Sequence, residues 1–75
     1  MSSFVEAIAR NLLQLARKHN SKLVVIINRQ YFFVATKNIL KPVAGVTSKL
    51  SKQELDEIVR LLRTSGLDVE VRGDE

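Results

Sequence analysis

The first twenty residues carry apolar side chains at intervals of three and four. These positions form one stripe: Phe4, Val5, Ile8, Ala9, Leu12, Leu15 and Ala16. Polar residues fill the positions between them, which is typical of a helix that buries one face. Ser3 and Glu6 have the spacing of a capping box at the start, and Asn20 suits a left-handed cap at the end. The pattern predicts a helix over about residues 3–19.

Two apolar runs follow, Leu23–Ile27 and Tyr31–Ala35, and both are rich in β-branched and aromatic residues. A short polar interruption separates them, which is the pattern of a β-hairpin. We therefore predict two strands, over about residues 22–28 and 31–37.

The position of the turn decides which side chains of this hairpin share a face. We place it at Arg29 and Gln30, so that Asn28 lies opposite Tyr31 and opposed residues point to the same side. One face, the expected core, then carries Leu23, Val25, Ile27, Phe32, Val34 and Thr36. The other face carries Val24, Ile26, Asn28, Tyr31, Phe33, Ala35 and Lys37. This second face is very apolar for a surface, so we expect a partner to cover it.

The stretch Asn38–Leu50 has no clear period and contains Pro42 and Gly45. We interpret it as an ordered loop that exposes Lys41 and Lys49. Four apolar residues of the loop are expected to pack inward: Ile39, Leu40, Val43 and Val46.

The remaining residues predict a second helix and a last strand. Ser51 and Glu54 have capping-box spacing, an apolar stripe follows, and Gly66 suits the end of a helix over about residues 51–65. Leu67–Arg72 alternates with period two, as a strand buried on one side does. We predict that strand over about residues 67–72 and a frayed tail over 73–75.

Together these elements predict a single α+β domain over residues 1–75, a small α-β-β-α-β two-layer sandwich. We expect a three-stranded antiparallel sheet in the order 2-1-3, with both helices on one face. Asp68, Glu70 and Arg72 then lie on the open face. The element order resembles that of a reduced type II KH domain. Such domains carry a Gly-x-x-Gly loop between two helices, whereas Ala44–Thr47 has a single glycine, so no binding residues are carried over.

Composition argues against several classes of function. The chain has no cysteine and a single histidine, His19, whose place near a helix end favours a structural role. Its three glycines do not form a phosphate-binding loop. We expect no enzyme activity, no catalytic or metal site, no cofactor and no small-molecule substrate. No membrane-length apolar run or signal peptide is apparent, so we expect a cytoplasmic protein without membrane contact.

Charge points to a polyanion. The net charge is +4, and residues 21–53 contain six bases and no acid: Lys22, Arg29, Lys37, Lys41, Lys49 and Lys52. This block is either a nucleic-acid-binding surface or a means of solubility. Tyr31 and Phe33, two residues apart on one strand, would offer stacking surfaces for bases. Because Asp68 and Glu70 share that face, the phosphates are expected to follow Lys37, Lys41, Lys49 and Lys52 instead.

Two functional hypotheses follow. The first is a small basic protein that binds RNA in preference to DNA, free or as a subunit of a ribonucleoprotein. The second is an assembly module with no nucleic-acid role, in which a homodimer or another protein partner covers the open face. The predicted interface for that module consists of Val24, Ile26, Tyr31, Phe33 and Ala35.

Overall fold

Two helices and four strands form the fold in the computed structural model of the protein, which describes residues 3–36 and 39–73. The helices are α1 (Ser3–Lys18) and α2 (Lys52–Thr64). The strands are β1 (Leu23–Ile27), β2 (Tyr31–Thr36), β3 (Ile39–Gly45) and β4 (Asp68–Arg72). The α+β class is confirmed, and each predicted helix and strand has its observed ends within one residue of the expected position.

The sheet has four strands in the order β3-β2-β1-β4, and it is mixed. β2 pairs antiparallel with both β1 and β3, whereas β4 pairs parallel with β1. The prediction of a three-stranded antiparallel sheet is therefore wrong, although the last strand does lie beside β1. One missed strand explains both differences. β3 reverses the chain once more before α2 crosses the sheet, so β4 arrives in the same direction as β1.

The hydrophobic periodicity of the sequence does not predict β3, because β3 is an irregular edge strand. Phe33 pairs with Pro42 and Phe32 pairs with Ala44, which leaves Val43 as the extra residue of a β-bulge. Proline, which has no N–H to donate, is tolerated at a sheet edge. Val43 packs against the core as expected, but Ile39 does not, since 58% of its surface is exposed.

The observed topology does not match the predicted resemblance to a type II KH domain. Gly45 is the last residue of β3 instead of part of a loop between two helices. The third strand also separates the hairpin from α2, which that family's order does not include.

The hairpin loop begins one residue earlier than predicted and contains three residues, 28–30, instead of the predicted two. Asn28 and Arg29 have φ values of 56° and 53°, and the Gln30 N–H donates to the Ile27 carbonyl at 3.1 Å. Two positive φ angles in succession are the mark of a hairpin turn whose twist matches that of the strands. Asparagine tolerates this conformation better than most residues, so Asn28 locates the turn. Gln30 also lies outside the ladder, so Ile27 pairs with Tyr31 across a loop of three residues.

The additional loop residue shifts the register of β1 against β2 by one and so exchanges the two faces of β1, because side chains alternate along a strand. Val24 and Ile26 are fully buried in the core between sheet and helices, together with Phe32 and Val34. Their predicted place on the open face is therefore wrong. Leu23, Val25 and Ile27, which we expected in the core, face the opposite side. Phe32 and Val34 of β2 do lie in the core as predicted.

Local helix-end signals explain where the elements meet. Ser51 Oγ accepts from the Glu54 N–H at 3.1 Å and Glu54 Oε1 accepts from the Ser51 N–H at 2.9 Å, so the second capping box is confirmed. Asn20 and Gly66 have φ values of 54° and 93°, as their predicted cap roles require. Ser3 is already helical, so its predicted role as the cap residue is wrong.

Both helices lie on one face of the sheet, as predicted. α1 packs on β1 and β2, whereas α2 packs on α1 and β4. The sheet therefore continues past α1, where β3 forms one wall of a groove along the helix.

Candidate nucleic-acid interface

The sheet edge formed by β4 carries acids together with cations that have partners in the chain. Arg60 Nη2 lies 3.9 Å from Glu57 Oε1, an ion pair along the exposed side of α2. Arg63 Nη2 donates to the Val69 carbonyl at 3.2 Å. Arginines on this side of the molecule therefore serve contacts within the protein.

Arg72 belongs to the same group. Its Nε donates to Glu70 Oε1 at 2.8 Å, and both side chains are about half exposed. This hydrogen bond, with the attraction of the carboxylate, raises the pKa of Arg72 above its ordinary value. Arg72 thus balances the negative charge of Glu70 on the same strand.

Three shallow depressions lie in a row along the opposite edge, between α1 and β3. The first is at the C-terminal end of α1, and it is lined by His19, Asn20, Ala35, Thr36, Ile39 and Lys41. The middle one is lined by Asn11, Gln14, Leu15, Lys18 and Val43. The third is lined by Phe4, the loop residues 45–50 and Glu54. We call this row the α1–β3 groove.

The ionisable residues of the α1–β3 groove are almost all basic. Lys18, Lys41 and Lys49 are exposed and contribute one lysine to each depression. Within residues 3–36 and 39–73, none of the three makes an ion pair or a side-chain hydrogen bond. The one carboxylate of the groove, Glu54, accepts from the Ser51 N–H. The lysines of the groove therefore have no acidic partner in the described part of the chain.

Lys18 is the groove residue that sequence reasoning missed. It follows Asn11 by seven residues and Leu15 by three, so all three lie on one side of α1. Arg10 and Arg17 share a different stripe, about 100° around the helix, and Arg10 lines a depression with Glu6 and α2 instead. Helical spacing alone predicts that Lys18 and Arg10 lie on different sides of α1. Lys18 lines a groove only because β3 lies beside that side of the helix.

The predicted nucleic-acid-binding residues do not come together as one patch. Lys41 and Lys49 line the α1–β3 groove, and Lys52 is exposed at the start of α2. Lys22 is exposed elsewhere, in a hollow that also contains Asp68. Lys37 lies outside the described residues.

Arg29 lies in the hairpin turn, as predicted, but the turn is not open to solvent. It is half-buried, and its carbonyl accepts from the Leu50 N–H at 2.8 Å. Gln30 also joins the turn to the loop after β3, because its carbonyl accepts from the Val46 N–H at 3.0 Å. The tip is therefore packed against that loop.

The open face of the sheet is apolar over three strands and charged on the fourth. Tyr31, Phe33 and Ala35 of β2 lie on it, and Asp68, Glu70 and Arg72 of β4 share it, as predicted. Tyr31 is 48% exposed, whereas Phe33 is half-buried. Two side chains two residues apart on a strand are about 7 Å apart, so Tyr31 is the more accessible of two neighbouring rings.

Comparisons of the chain with protein-family models, with curated proteins and with solved structures found no match. In the described part of the chain, neither helix combines the length and the apolar character needed to cross a membrane. The arrangement of the side chains is therefore the basis for a functional proposal.

Proposed function

We propose that the protein binds nucleic acid without catalysing a reaction, and that single-stranded RNA is its preferred ligand. The observation that carries this proposal is the file of exposed lysines in the α1–β3 groove, Lys18, Lys41 and Lys49. A single file of cations suits one phosphate backbone better than the two backbones of a duplex. Lys52, exposed three residues beyond Lys49, extends the track.

Affinity then comes mainly from phosphate neutralisation. Each lysine that contacts a phosphate releases a condensed counterion, so binding weakens as salt rises. For a single strand the log–log slope is about −0.7 per phosphate, and four contacts give a slope of about −3. The acids of the β4 edge favour the same route, since they repel a backbone placed across the open face.

Tyr31 offers a surface for a base next to this track. It pairs with Gly45 of the edge strand, and its ring lies 3.6 Å from where a Gly45 Cβ would stand. Because glycine has no side chain, the ring is accessible from the β3 edge. A strand in the groove therefore turns a base over that edge onto Tyr31, a contact worth about 1–3 kcal/mol.

Fluorescence anisotropy with labelled oligonucleotides tests the proposal. We expect single-stranded RNA to bind more tightly than single-stranded DNA or duplex RNA, with affinity falling steeply as salt is raised. The absence of binding to all three at about 50 mM salt would contradict the proposal, because electrostatic binding is strong under that condition.

The Tyr31→Ala variant tests the place of the bases. We expect weaker binding with an unchanged salt slope, because stacking releases no counterions. Phe33→Ala is the matched control on the same strand, and we expect a smaller loss because Phe33 is less exposed. Equal binding by wild type and Tyr31→Ala would contradict base stacking on Tyr31 but not phosphate binding along the α1–β3 groove.

An assembly module without a nucleic-acid role is the second candidate. The observation that favours it is the extent of the apolar open face, which β3 enlarges by Leu40 and Pro42 beside Ala35 and Phe33. A heparin column beside size-exclusion chromatography separates the two functions. Retention on heparin supports the first, and self-association without retention supports the second.

A further inference from the structure

The open face is a regular array in which four strands cross three rows. Strand pairing places the residues of each row side by side, in the order β3, β2, β1, β4. The row nearest the hairpin turn is Gly45, Tyr31, Ile27 and Arg72. The middle row is Pro42, Phe33, Val25 and Glu70. The far row is Leu40, Ala35, Leu23 and Asp68.

The two ends of this array have opposite shapes. At the turn end Tyr31 is 48% exposed and stands beside Gly45, which has no side chain. At the far end there is a hollow whose lining includes Leu23, Ala35 and Leu40. By strand register Arg72 belongs to the turn row and Asp68 to the far row. The Arg72 side chain reaches Glu70 and also lines the hollow, together with Asp68 and Lys22.

We propose that a second copy of this chain covers the open face, related to the first by a two-fold axis that crosses the strands along the middle row. This axis places each strand over the same strand of the second copy, in the reverse direction. Each Tyr31 then enters the other copy's hollow over Ala35. Each Asp68 faces the other copy's Arg72, so two opposite-charge pairs close the same rim.

The middle row is compatible with this axis. Phe33 meets its own counterpart and forms an apolar centre, next to Val25, which is already fully buried within the chain. Glu70 also meets its counterpart, but each Glu70 is already held at 2.8 Å by Arg72 of its own chain. Each Arg72 therefore lies between Glu70 of its own chain and Asp68 of the other copy.

Other ways of joining two copies fit less well. A two-fold axis along the strands would place Asp68 over Leu40 and Arg72 over Gly45, which sets charges on apolar or empty positions. The sheet edges are poor alternatives because unprotected edges are what pair. The β3 edge contains Pro42 and a bulge, and on β4 the Val69 carbonyl already accepts from Arg63.

The face is small, so the dimer is expected to be weak. Four strands about 4.8 Å apart and three rows about 7 Å apart give a face of roughly 20 × 20 Å. Interfaces at this end of the size range dissociate easily, so we expect a dimer that forms at micromolar or higher concentration. The same axis also puts both β3 edges on one side of the dimer. The inference does not depend on nucleic-acid binding, but a base stacked on Tyr31 and a second copy on the open face exclude each other.

Sedimentation equilibrium over about 1–300 μM tests the proposal with paired charge exchanges, a range chosen for a weak interface. Asp68→Arg alone sets two arginines against each other, and Arg72→Asp alone sets two aspartates against each other. We expect each single variant to dimerise about tenfold more weakly or worse. An equal mixture of the two variants restores opposite charges at both sites, so we expect dimer formation close to that of wild type. Both variants remain net positive, because the chain carries +4 and each exchange shifts it by two.

The matched control is Asp56→Arg, which makes the same charge change on an exposed position of α2. We expect it to dimerise like wild type. Phe33→Glu places two acids at the axis and should abolish the dimer, with circular dichroism to verify that the monomer is folded. A wild-type monomer throughout the range would overturn the proposal. So would a dimer on which the exchanges at positions 68 and 72 act no differently from Asp56→Arg, or a mixture that fails to restore it.

Discussion

The two edge strands of the sheet, β4 and β3, differ in regularity and in the partners of the cations near them. β4 alternates regularly, packs Val69 into the core, and lies beside arginines that bond within the chain. β3 contains Pro42 and a bulge, lies beyond the cover of the helices, and has lysines without partners among the described residues. The arginines near β4 thus bond within the chain, whereas the lysines near β3 have no partner among the described residues.

This difference shows why net charge alone is a poor guide to function. The chain has twelve Lys and Arg residues, but at least three of its arginines make contacts within the chain. Among the cations without a partner in the described part of the chain, Lys18, Lys41 and Lys49 line the α1–β3 groove, whereas Arg10 and Lys22 lie elsewhere.

The comparison of edges depends most on the register of β1, which joins β4 to the rest of the sheet. We expect Ile26→Ala to lower the free energy of unfolding by about 2–5 kcal/mol, because Ile26 is fully buried in the core. Ile27→Ala, the same change one residue along, should cost clearly less since Ile27 is half-buried on the open face. Urea denaturation measures both. A larger loss for Ile27→Ala would restore the register with the turn at Arg29 and Gln30.

A smaller difference is expected between the edges themselves. Val69→Ala should cost about 2 kcal/mol, because Val69 is a core residue and the change removes two buried carbons. Val43→Ala on the bulge of β3 should cost well under that, since Val43 is only partly buried. Equal losses in urea denaturation would mean that β3 contributes as much to the core as β4.

The connection between the edges is expected to be more sensitive at Ser51 than at its neighbours. Ser51→Ala removes the cap of α2 and should cost about 0.5–2 kcal/mol. Ser48→Ala is the matched control, because Ser48 is exposed in the loop before that helix. Thermal melts in which the two variants are equally stable would mean that the observed cap does not stabilise α2.

Much of the fold could be predicted because the pattern is strong where packing is simple. Both helices, the hairpin and β4 follow from spacing of apolar residues, and Ser51 and Gly66 locate the ends of α2. β3 could not be found in this way, since Val43 interrupts the period of two and Pro42 and Gly45 are typical of loops. Missing β3 also reversed the expected direction of β4.

The register was lost by a single residue at the turn. Arg29 and Gln30 are the more polar pair, but Asn28 is the residue that tolerates a positive φ, and this preference placed the turn. The candidate site was only partly predictable for a similar reason. Lys41 and Lys49 follow from the charge block, whereas Lys18 joins them only because β3 lies beside α1.

The most direct test of the basic edge compares two double variants with the same loss of charge. Lys41→Gln with Lys49→Gln removes two lysines of the α1–β3 groove, whereas Arg10→Gln with Arg17→Gln removes two exposed bases from a different side of α1. The measurement is the salt dependence of binding to single-stranded RNA. We expect a slope of about −3 for wild type and for the arginine variant, and about −1.4 for the lysine variant. Equal flattening by both variants, or flattening by the arginine variant alone, would contradict binding along the β3 edge.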